Sequence, residues 1–488
     1  MLFNSVDFAF FLPVVYALYW FACRRQVRIQ NILLLIASYY FYGSWDPRFL
    51  LLLAFSTFLD YFTGLKISDA QNQNAKKIWL CISVVTNVGF LAFFKYYNFF
   101  AESFASLLGT FGLQAHFPVL QIILPVGISF YTFHGLSYVF DIYRGKINPT
   151  RNVVDYSLFV SFFPLLVAGP IERATHLLPQ VAQPRRWNTE KAADGLRQIL
   201  WGLFKKVLIA DNCAQYSSMV FNHYQQYDGG ALLVAAICFM FEVYGDFSGY
   251  SDIALGTARL FGIELLQNFS YPYFSRSISE FWTRWHISLS SWFRDYVYIP
   301  LGGGREGKWK KARNVFVVFL LSGFWHGASF NRIFWGGLHG FFMLPGIFLG
   351  WDKKTDSHIV AAGKLFPSLK DLLSIIATFL LCTLALIVFR TTSLHDAGNY
   401  LKTIARATLS GDIFKQALLF WHTSVGMTLL GLLSVLIATE WLNRTQRYAL
   451  EAIPQQMPRI VRWLIYLLIL AALFLFANRS RQFIYFQF

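Results

Sequence analysis

"SGFWHGASFNRIFWGGLHG" occupies residues 322–340. The stretch is apolar enough for a bilayer, yet it carries His326, Arg332 and His339 among tryptophans and glycines. An ionisable side chain at membrane depth is costly, and one that is kept there marks a pathway or a site. The apolar runs 314–330 and 332–350 read as two adjacent crossings joined near Ser329-Phe330-Asn331. His326 then lies just before a tight turn and His339 in the partner helix.

Working outward, the whole chain has the same character. Of 488 residues, 56% are hydrophobic, 19% aromatic and only 14% charged, more apolar surface than one soluble core can hide. The 52 phenylalanines, 25 tyrosines and 15 tryptophans suit lipid-facing surface and interfacial belts. Thirteen apolar segments recur between residues 8 and 477, several near the ~20 residues that cross a bilayer. The expectation is an all-α polytopic membrane protein with about 10–12 crossings. It is read as one membrane domain over 1–488: N-terminal helices 1–120, a core 121–350 and C-terminal helices 351–488.

The net charge of +16 does not point to nucleic acid, because the basic residues fall in short loops between apolar segments, as the positive-inside rule predicts. Arg24, Arg25 and Arg28 open the series, followed by Lys66, Lys76 and Lys77, then Arg144, Lys146 and Arg151. The tract 276–313 holds eight Lys or Arg against three acidic residues, and Lys353, Lys354, Arg444 and Arg447 complete the alternation. This places both termini outside the cytoplasm. No positive region precedes the first apolar run, which reads as a retained span. Five scattered cysteines without a CxxC give neither a disulfide framework nor a zinc site, and no metal is expected.

The middle alternates less cleanly. The stretch 172–206, with Arg173, Arg185, Arg186, Lys191, Arg197, Lys205 and Lys206, reads as a cytoplasmic loop. The preceding 154–170 ends in Ala168-Gly169-Pro170 and reads as broken or re-entrant, which is tolerated only where protein or a water-filled cavity surrounds it.

Three further polar clusters interrupt the apolar pattern. In "ILPVGISFYTFHGLSYVFDIYRG" (123–145), Pro125 and Gly127 should kink a helix, and His134 and Asp141 share one face as a helix-packing pair. In "YGDFSGYSDIALG" (244–256), Asp246, Ser248, Ser251 and Asp252 form a polar patch. Two carboxylates do not make a metal site, so a buried structural core of hydrogen bonds is expected there. The run 268–303 fits an amphipathic interfacial helix, with Trp282, Trp285 and Trp292 at the membrane surface beside Glu280, Arg284, Arg294 and Asp295. Equally, it fits a basic, His286-bearing site for an anionic cofactor. For His326, a structural and a catalytic role stand level. Gly323 and Gly327 would let a substrate approach it, and histidine transfers protons near neutral pH.

Four motifs together resemble the membrane-bound O-acyltransferase family, in its bacterial alginate O-acetyltransferase-like branch. They are "DFSGYSDIALG" (246–256), "FWTRWHISLSSWFRDYVYIPLGG" (281–303), the opening stretch and "FFPLLVAGPIER" (162–173). "MLFNSVDFAFFLPVVYALYW" (1–20) and "FIYFQF" (483–488) are also typical of that branch. One departure is Thr283, where the family more often has arginine; His286 stays in place.

The resemblance implies a ring of tilted helices around a thin centre with a tunnel. It makes His326 the essential histidine, acting as general base, and His286 a second catalytic position. His286 or Asn314 would stabilise the oxyanion or position the thioester; an acetyl-histidine relay is the alternative. Acetyl-CoA would be the donor substrate, no cofactor being permanently bound. Its phosphates would meet the basic tract 276–313, with Trp325, Asn314, Arg284, Trp285, Arg294 and Asp295 on the donor side. The acceptor would be a cell-envelope polysaccharide, alginate-type or peptidoglycan, reached across the bacterial inner membrane through a periplasmic SGNH-type partner. Two other readings remain at this level: a D-alanyl or other acyl transferase fed by a carrier protein, and a polysaccharide or lipid transporter without chemistry.

Overall fold

The computed structural model describes residues 1–23, 26–113, 117–350, 359–476 and 483. The orientation signals at Arg24, Arg25, Lys353 and Lys354, and all of "FIYFQF" but Phe483, lie outside the described residues. Among the described residues every regular element is helical. Seven helical stretches are long and apolar enough to cross a membrane: 47–69, 73–110, 229–260, 330–349, 369–390, 424–442 and 459–476; Val6–Ala22 is a shorter apolar helix. The chain is a multi-pass membrane protein. It sorts into two compact units: Met1–Lys191 with Ala258–Leu266 and Gly327–Ser329, and Ala192–Thr257 with Gln267–His326 and Phe330–Phe488.

The first unit holds α1 (Val6–Ala17), α2 (Val27–Gly43), α3 (Leu50–Asp69), α4 (Gln73–Leu91), α5 (Tyr97–Thr110), α6 (Ile128–Tyr143), α7 (Val153–Ser161), α8 (Phe163–Leu166) and α9 (Ala174–Ala182). Ser5 caps α1 by accepting from the Phe8 N–H at 3.2 Å. The polar residues of α3 and α4 face each other: the Asp60 carboxylate accepts from Ser83 Oγ at 2.6 Å and Asn87 Nδ2 at 2.8 Å.

The segment 154–170 is broken, as its sequence suggests. The chain turns out of α7 at Phe162, and residues 158–172 are all buried. Ser38 of α2 accepts from the Phe163 N–H at 3.0 Å, which satisfies a donor that the break sets free. Pro125 and Gly127 do not kink a helix: α6 begins after them, at Ile128. Gly127 has φ +76°, and a Cβ there would meet the Leu166 carbonyl oxygen at 2.2 Å, so the position needs glycine on both counts.

The second unit holds most of α10 (Thr189–Leu203), α11 (Asp211–Asn222) and α12 (Gly229–Leu260). It also contains α13 (Ile278–Arg284), α14 (Ile287–Phe293), α15 (Lys308–His326) and α16 (Phe330–Leu349). The C-terminal elements are α17 (Leu369–Arg390), α18 (Leu394–Leu409), α19 (Ile413–Trp421), α20 (Ser424–Leu442), α21 (Ile453–Gln456) and α22 (Arg459–Phe476). Much of the expected cytoplasmic loop 172–206 is therefore helix. A π-helical turn, Phe204–Ala210, carries α10 into α11 and buries Lys205 and Lys206. Backbone contact makes this fit: a Cβ on Gly202 would meet the Gly249 carbonyl oxygen at 2.6 Å, and one on Gly249 would meet that of Gly202 at 2.7 Å. Small residues of this kind let two helices approach closely.

Candidate active site

The opening stretch forms a helical hairpin of α15 and α16. A Cβ on Gly323 would lie 2.2 Å from the Arg332 carbonyl oxygen, and one on Gly336 2.2 Å from that of Phe319. Gly323 is thus spent on backbone packing rather than on clearing space for a substrate, a correction to the sequence reading. At the start of α16, Asn331 Nδ2 donates to the Thr391 carbonyl at 2.8 Å and tethers the hairpin to the end of α17.

His326 is the last residue of α15 and is 7% exposed. Its ring centroid lies 4.7 Å from Trp325, 5.2 Å from Trp335 at 90°, and 5.8 Å from Phe389. The Trp335 indole Nε1 is buried with no hydrogen-bond partner among the described residues. His339, one turn beyond Trp335, accepts from Trp282 Nε1 at 3.3 Å and sits within the aromatic packing.

His286 is reached by another route. The expected amphipathic helix is interrupted: α13 and α14 are separate short helices, and His286 between them has φ +43° and ψ +53°. Trp282, Trp285 and Trp292 are buried rather than spread on a surface. The turn is bracketed by residues 268–270, where Ser270 N–H donates to the Arg284 carbonyl at 3.0 Å and Ile287 N–H to that of Asn268 at 2.9 Å. The Asn268 side chain closes the bracket. Its Oδ1 meets His286 Nδ1 at 3.1 Å and Ser288 Oγ at 2.9 Å, while Nδ2 donates to Ser251 Oγ of α12 at 3.2 Å. The Phe247 ring stands edge-on to His286 at 4.6 Å, and the Trp325 ring lies 6.0 Å away. Trp325 therefore separates the two histidines, within ring-contact distance of each.

Several residues expected on the donor side are committed elsewhere. Arg284 donates to Glu280 Oε1 at 2.7 Å, and Arg276 donates to the same carboxylate at 3.0 Å. Trp285 stacks on Phe281 at 5.4 Å and is a core residue. Arg294 pairs with its neighbour Asp295 at 2.9 Å on the exposed side. Asn314 donates to the Leu301 and Gly303 carbonyls at 3.1 and 2.9 Å, pinning the turn that precedes α15. It lies twelve residues before His326 on the same helix, about 18 Å away along the axis. Asn314 is therefore too far away to stabilise an oxyanion at His326.

The polar patch on α12 is held by three ion pairs. Asp246 meets Lys206 at 2.6 Å, Lys206 also meets Asp211 at 2.9 Å, and Asp252 meets Lys205 at 2.6 Å and Gln198 at 2.8 Å. Ser248 Oγ is buried without a hydrogen-bond partner among the described residues. It lines a polar cavity of about 20 Å³ with Lys205, Asp252, Asn268 and Glu440, a volume that holds about one water molecule. In the first unit, His134 does not pair with Asp141. His134 Nε2 accepts from the Glu172 N–H at 3.1 Å, and Asp141 pairs with Lys146 at 3.4 Å. Among the described residues no three His, Cys, Asp or Glu side chains are grouped to hold a metal ion.

Sequence reasoning missed Asn268, Trp335 and the two lysines as partners of the site. Asn268 opens the run 268–303 and Trp335 lies in the stretch 322–340, but no spacing rule links either to a histidine. Lys205 and Lys206 were hidden by the rule that assigns lysines to loops.

Comparison with known proteins identifies the family. The family profile of the membrane-bound O-acyltransferases matches residues 148–350, which contain both histidines. The chain is 41% identical over 399 residues to the probable alginate O-acetylase AlgI of Pseudomonas aeruginosa, covering 81% of this chain and 73% of that protein. It is 36% identical over 431 residues to the peptidoglycan O-acetyltransferase of Helicobacter pylori, with 82% and 79% covered. Similarity to the teichoic acid D-alanyltransferase of Bacillus subtilis is 30% over 253 residues, covering 49% and 64%. The chain belongs to the membrane-bound O-acyltransferase family, and it is an O-acyltransferase.

Proposed function

We propose that this protein transfers an acetyl group from acetyl-CoA at the cytoplasmic face of the bacterial inner membrane toward hydroxyls of a cell-envelope polysaccharide. The observation that carries the reading is His326, buried at the end of a helix among Trp325, Trp335 and Phe389. Such a site excludes the water that would otherwise hydrolyse a thioester. His326 takes the hydroxyl proton as the oxygen attacks the thioester carbonyl. A C–O bond forms, the C–S bond breaks, and the imidazolium returns its proton to the leaving thiolate. The buried Trp335 N–H, which lacks an acceptor among the described residues, supplies a donor for the oxyanion.

Basic residues of the tract 276–313 meet the phosphates of the donor. Two are Lys308, which donates to the Phe348 carbonyl, and Arg313, which donates to the Asn314 amide oxygen. The relatives' names favour an alginate-type exopolysaccharide or peptidoglycan as acceptor. A periplasmic SGNH-type partner completes the transfer, and both termini face the periplasm.

The test is base-labile acetate on sacculi and exopolysaccharide measured separately in wild type, a deletion strain and His326→Ala at matched membrane levels. Loss from one fraction in both mutants is expected and identifies the acceptor. Unchanged acetate in every fraction overturns the reading.

A further inference from the structure

The two ring nitrogens of His286 are not equivalent, and the groups around them decide which one carries the proton. Asn268 Oδ1 receives the Ser288 backbone N–H at 3.4 Å and Ser288 Oγ at 2.9 Å, while Nδ2 points to Ser251 Oγ at 3.2 Å. A backbone N–H can only donate, so the amide oxygen must face Ser288, and the amide orientation follows from the network. The same oxygen meets His286 Nδ1 at 3.1 Å. An amide oxygen carries no hydrogen and can only accept, so Nδ1 must be the protonated nitrogen. Nε2 then carries a lone pair, and it is buried with no hydrogen-bond partner among the described residues.

The backbone reinforces this arrangement. A histidine with φ +43° occupies the left-handed region, which a residue other than glycine keeps only where its surroundings over-determine it. The bonds from Ser270 to Arg284 and from Ile287 to Asn268 hold that turn, and Phe247 fixes the ring edge-on. Asn268 thus joins the strained turn, the imidazole and α12 at one amide.

We propose that Asn268 is a positioning residue that locks His286 in the Nδ1–H form, so that Nε2 receives a hydrogen bond from a neighbouring hydroxyl of the acceptor, beside the one that gives its proton to His326, instead of donating one to the oxyanion. This rests on the active-site reading above. It assigns His286 to the nucleophile side of the reaction and leaves oxyanion stabilisation to other donors. Asn268 itself touches neither substrate.

The experiment compares full-length wild type, Asn268→Leu, Asn268→Asp and His286→Ala, brought to matched membrane levels, in acetyl transfer across a range of acetyl-CoA concentrations. Asn268→Leu is expected to lower kcat at least tenfold with KM for the donor within twofold. Asn268→Asp should restore kcat to within about threefold of wild type, because a carboxylate oxygen also accepts from Nδ1–H. A change that acts only through packing would not separate these two nearly isosteric replacements.

Asn268→Leu at wild-type kcat, or Asn268→Asp as impaired as Asn268→Leu, overturns the proposal. Should Asn268→Leu fail to accumulate, the imidazole ¹⁵N signature of His286 in histidine-labelled wild-type protein carries the test. An Nδ1–H form supports the assignment, and an Nε2–H form overturns it. If His286→Ala keeps wild-type turnover, His286 has no part in the reaction and the positioning proposal falls, while the reading of His326 stands or falls by His326→Ala. Loss in His286→Ala beside an intact Asn268→Leu overturns the positioning role alone.

Discussion

The two histidines of the site are held by opposite means. His326 owes its position to shape: Gly323 and Gly336 let α15 and α16 touch backbone to backbone, and aromatic rings close around the imidazole. His286 owes its position to hydrogen bonds: a strained turn, a bracket of two main-chain bonds and the amide of Asn268. Packing constraints fail abruptly, because an added methyl group has nowhere to go. A hydrogen-bonded bracket fails in steps of about 0.5–1.5 kcal/mol for each bond removed.

The contrast can be broken most severely at His326 itself. His326→Ala should lower acetyl transfer by about 10²–10⁴-fold, the usual worth of a general base, with protein level unchanged. Steady-state transfer in membranes reads this directly, and a loss below tenfold would leave His326 a packing residue. Gly336→Leu comes next and attacks the packed side alone. Its Cβ would sit 2.2 Å from the Phe319 carbonyl oxygen, so protein accumulation and activity should fall together, and the ratio of the two separates this effect from that of His326→Ala.

On the polar side, Lys206→Met removes the cation between Asp211 and Asp246. Stranding buried carboxylates costs about 3–5 kcal/mol. Detergent-solubilised protein should therefore show a lower midpoint of thermal unfolding than wild type, and an unchanged midpoint would mean that the pairs carry no net stability. The smallest effect is expected from Asn314→Ala. It frees two carbonyls at the turn before α15, a cost of about 1–3 kcal/mol, with kcat per folded molecule close to wild type. A kcat loss matching that of His326→Ala would return Asn314 to the chemistry.

The same contrast explains what the sequence made legible. Long apolar runs announced themselves: 424–441 and 461–477 became Ser424–Leu442 and Arg459–Phe476 within two residues at each end. Ala168-Gly169-Pro170 flagged 154–170 as unable to continue one helix, but the chain already turns at Phe162, where the sequence carries no such signal. His326 and His286 stood out because ionisable groups are rare in such runs. Partnerships between distant residues left no such trace. Nothing in a periodic pattern says that Asn268 reaches back to Ser251 or that Lys206 faces Asp246. Charge counting even pointed the wrong way, by placing Lys205 and Lys206 in a loop. Gly323 was correctly singled out and wrongly explained, since a sequence shows the missing side chain but not which neighbour fills the space.

The ion pairs between the α10–α11 turn and α12 also bear on how the chain enters the bilayer during synthesis. A lysine in the middle of an inserting segment costs about 2.5–3.5 kcal/mol, and Lys205 and Lys206 are adjacent. Their counter-charges, Asp246 and Asp252, emerge from the ribosome some forty residues later, on a helix that itself carries the two acids. Residues 229–260 are apolar enough to cross despite the two acids, whereas the lysine-bearing turn belongs to none of the crossing-length stretches. A chain cut between Asn222 and Gly229 is therefore expected to leave Lys205 and Lys206 without the counter-charges Asp252 and Asp246.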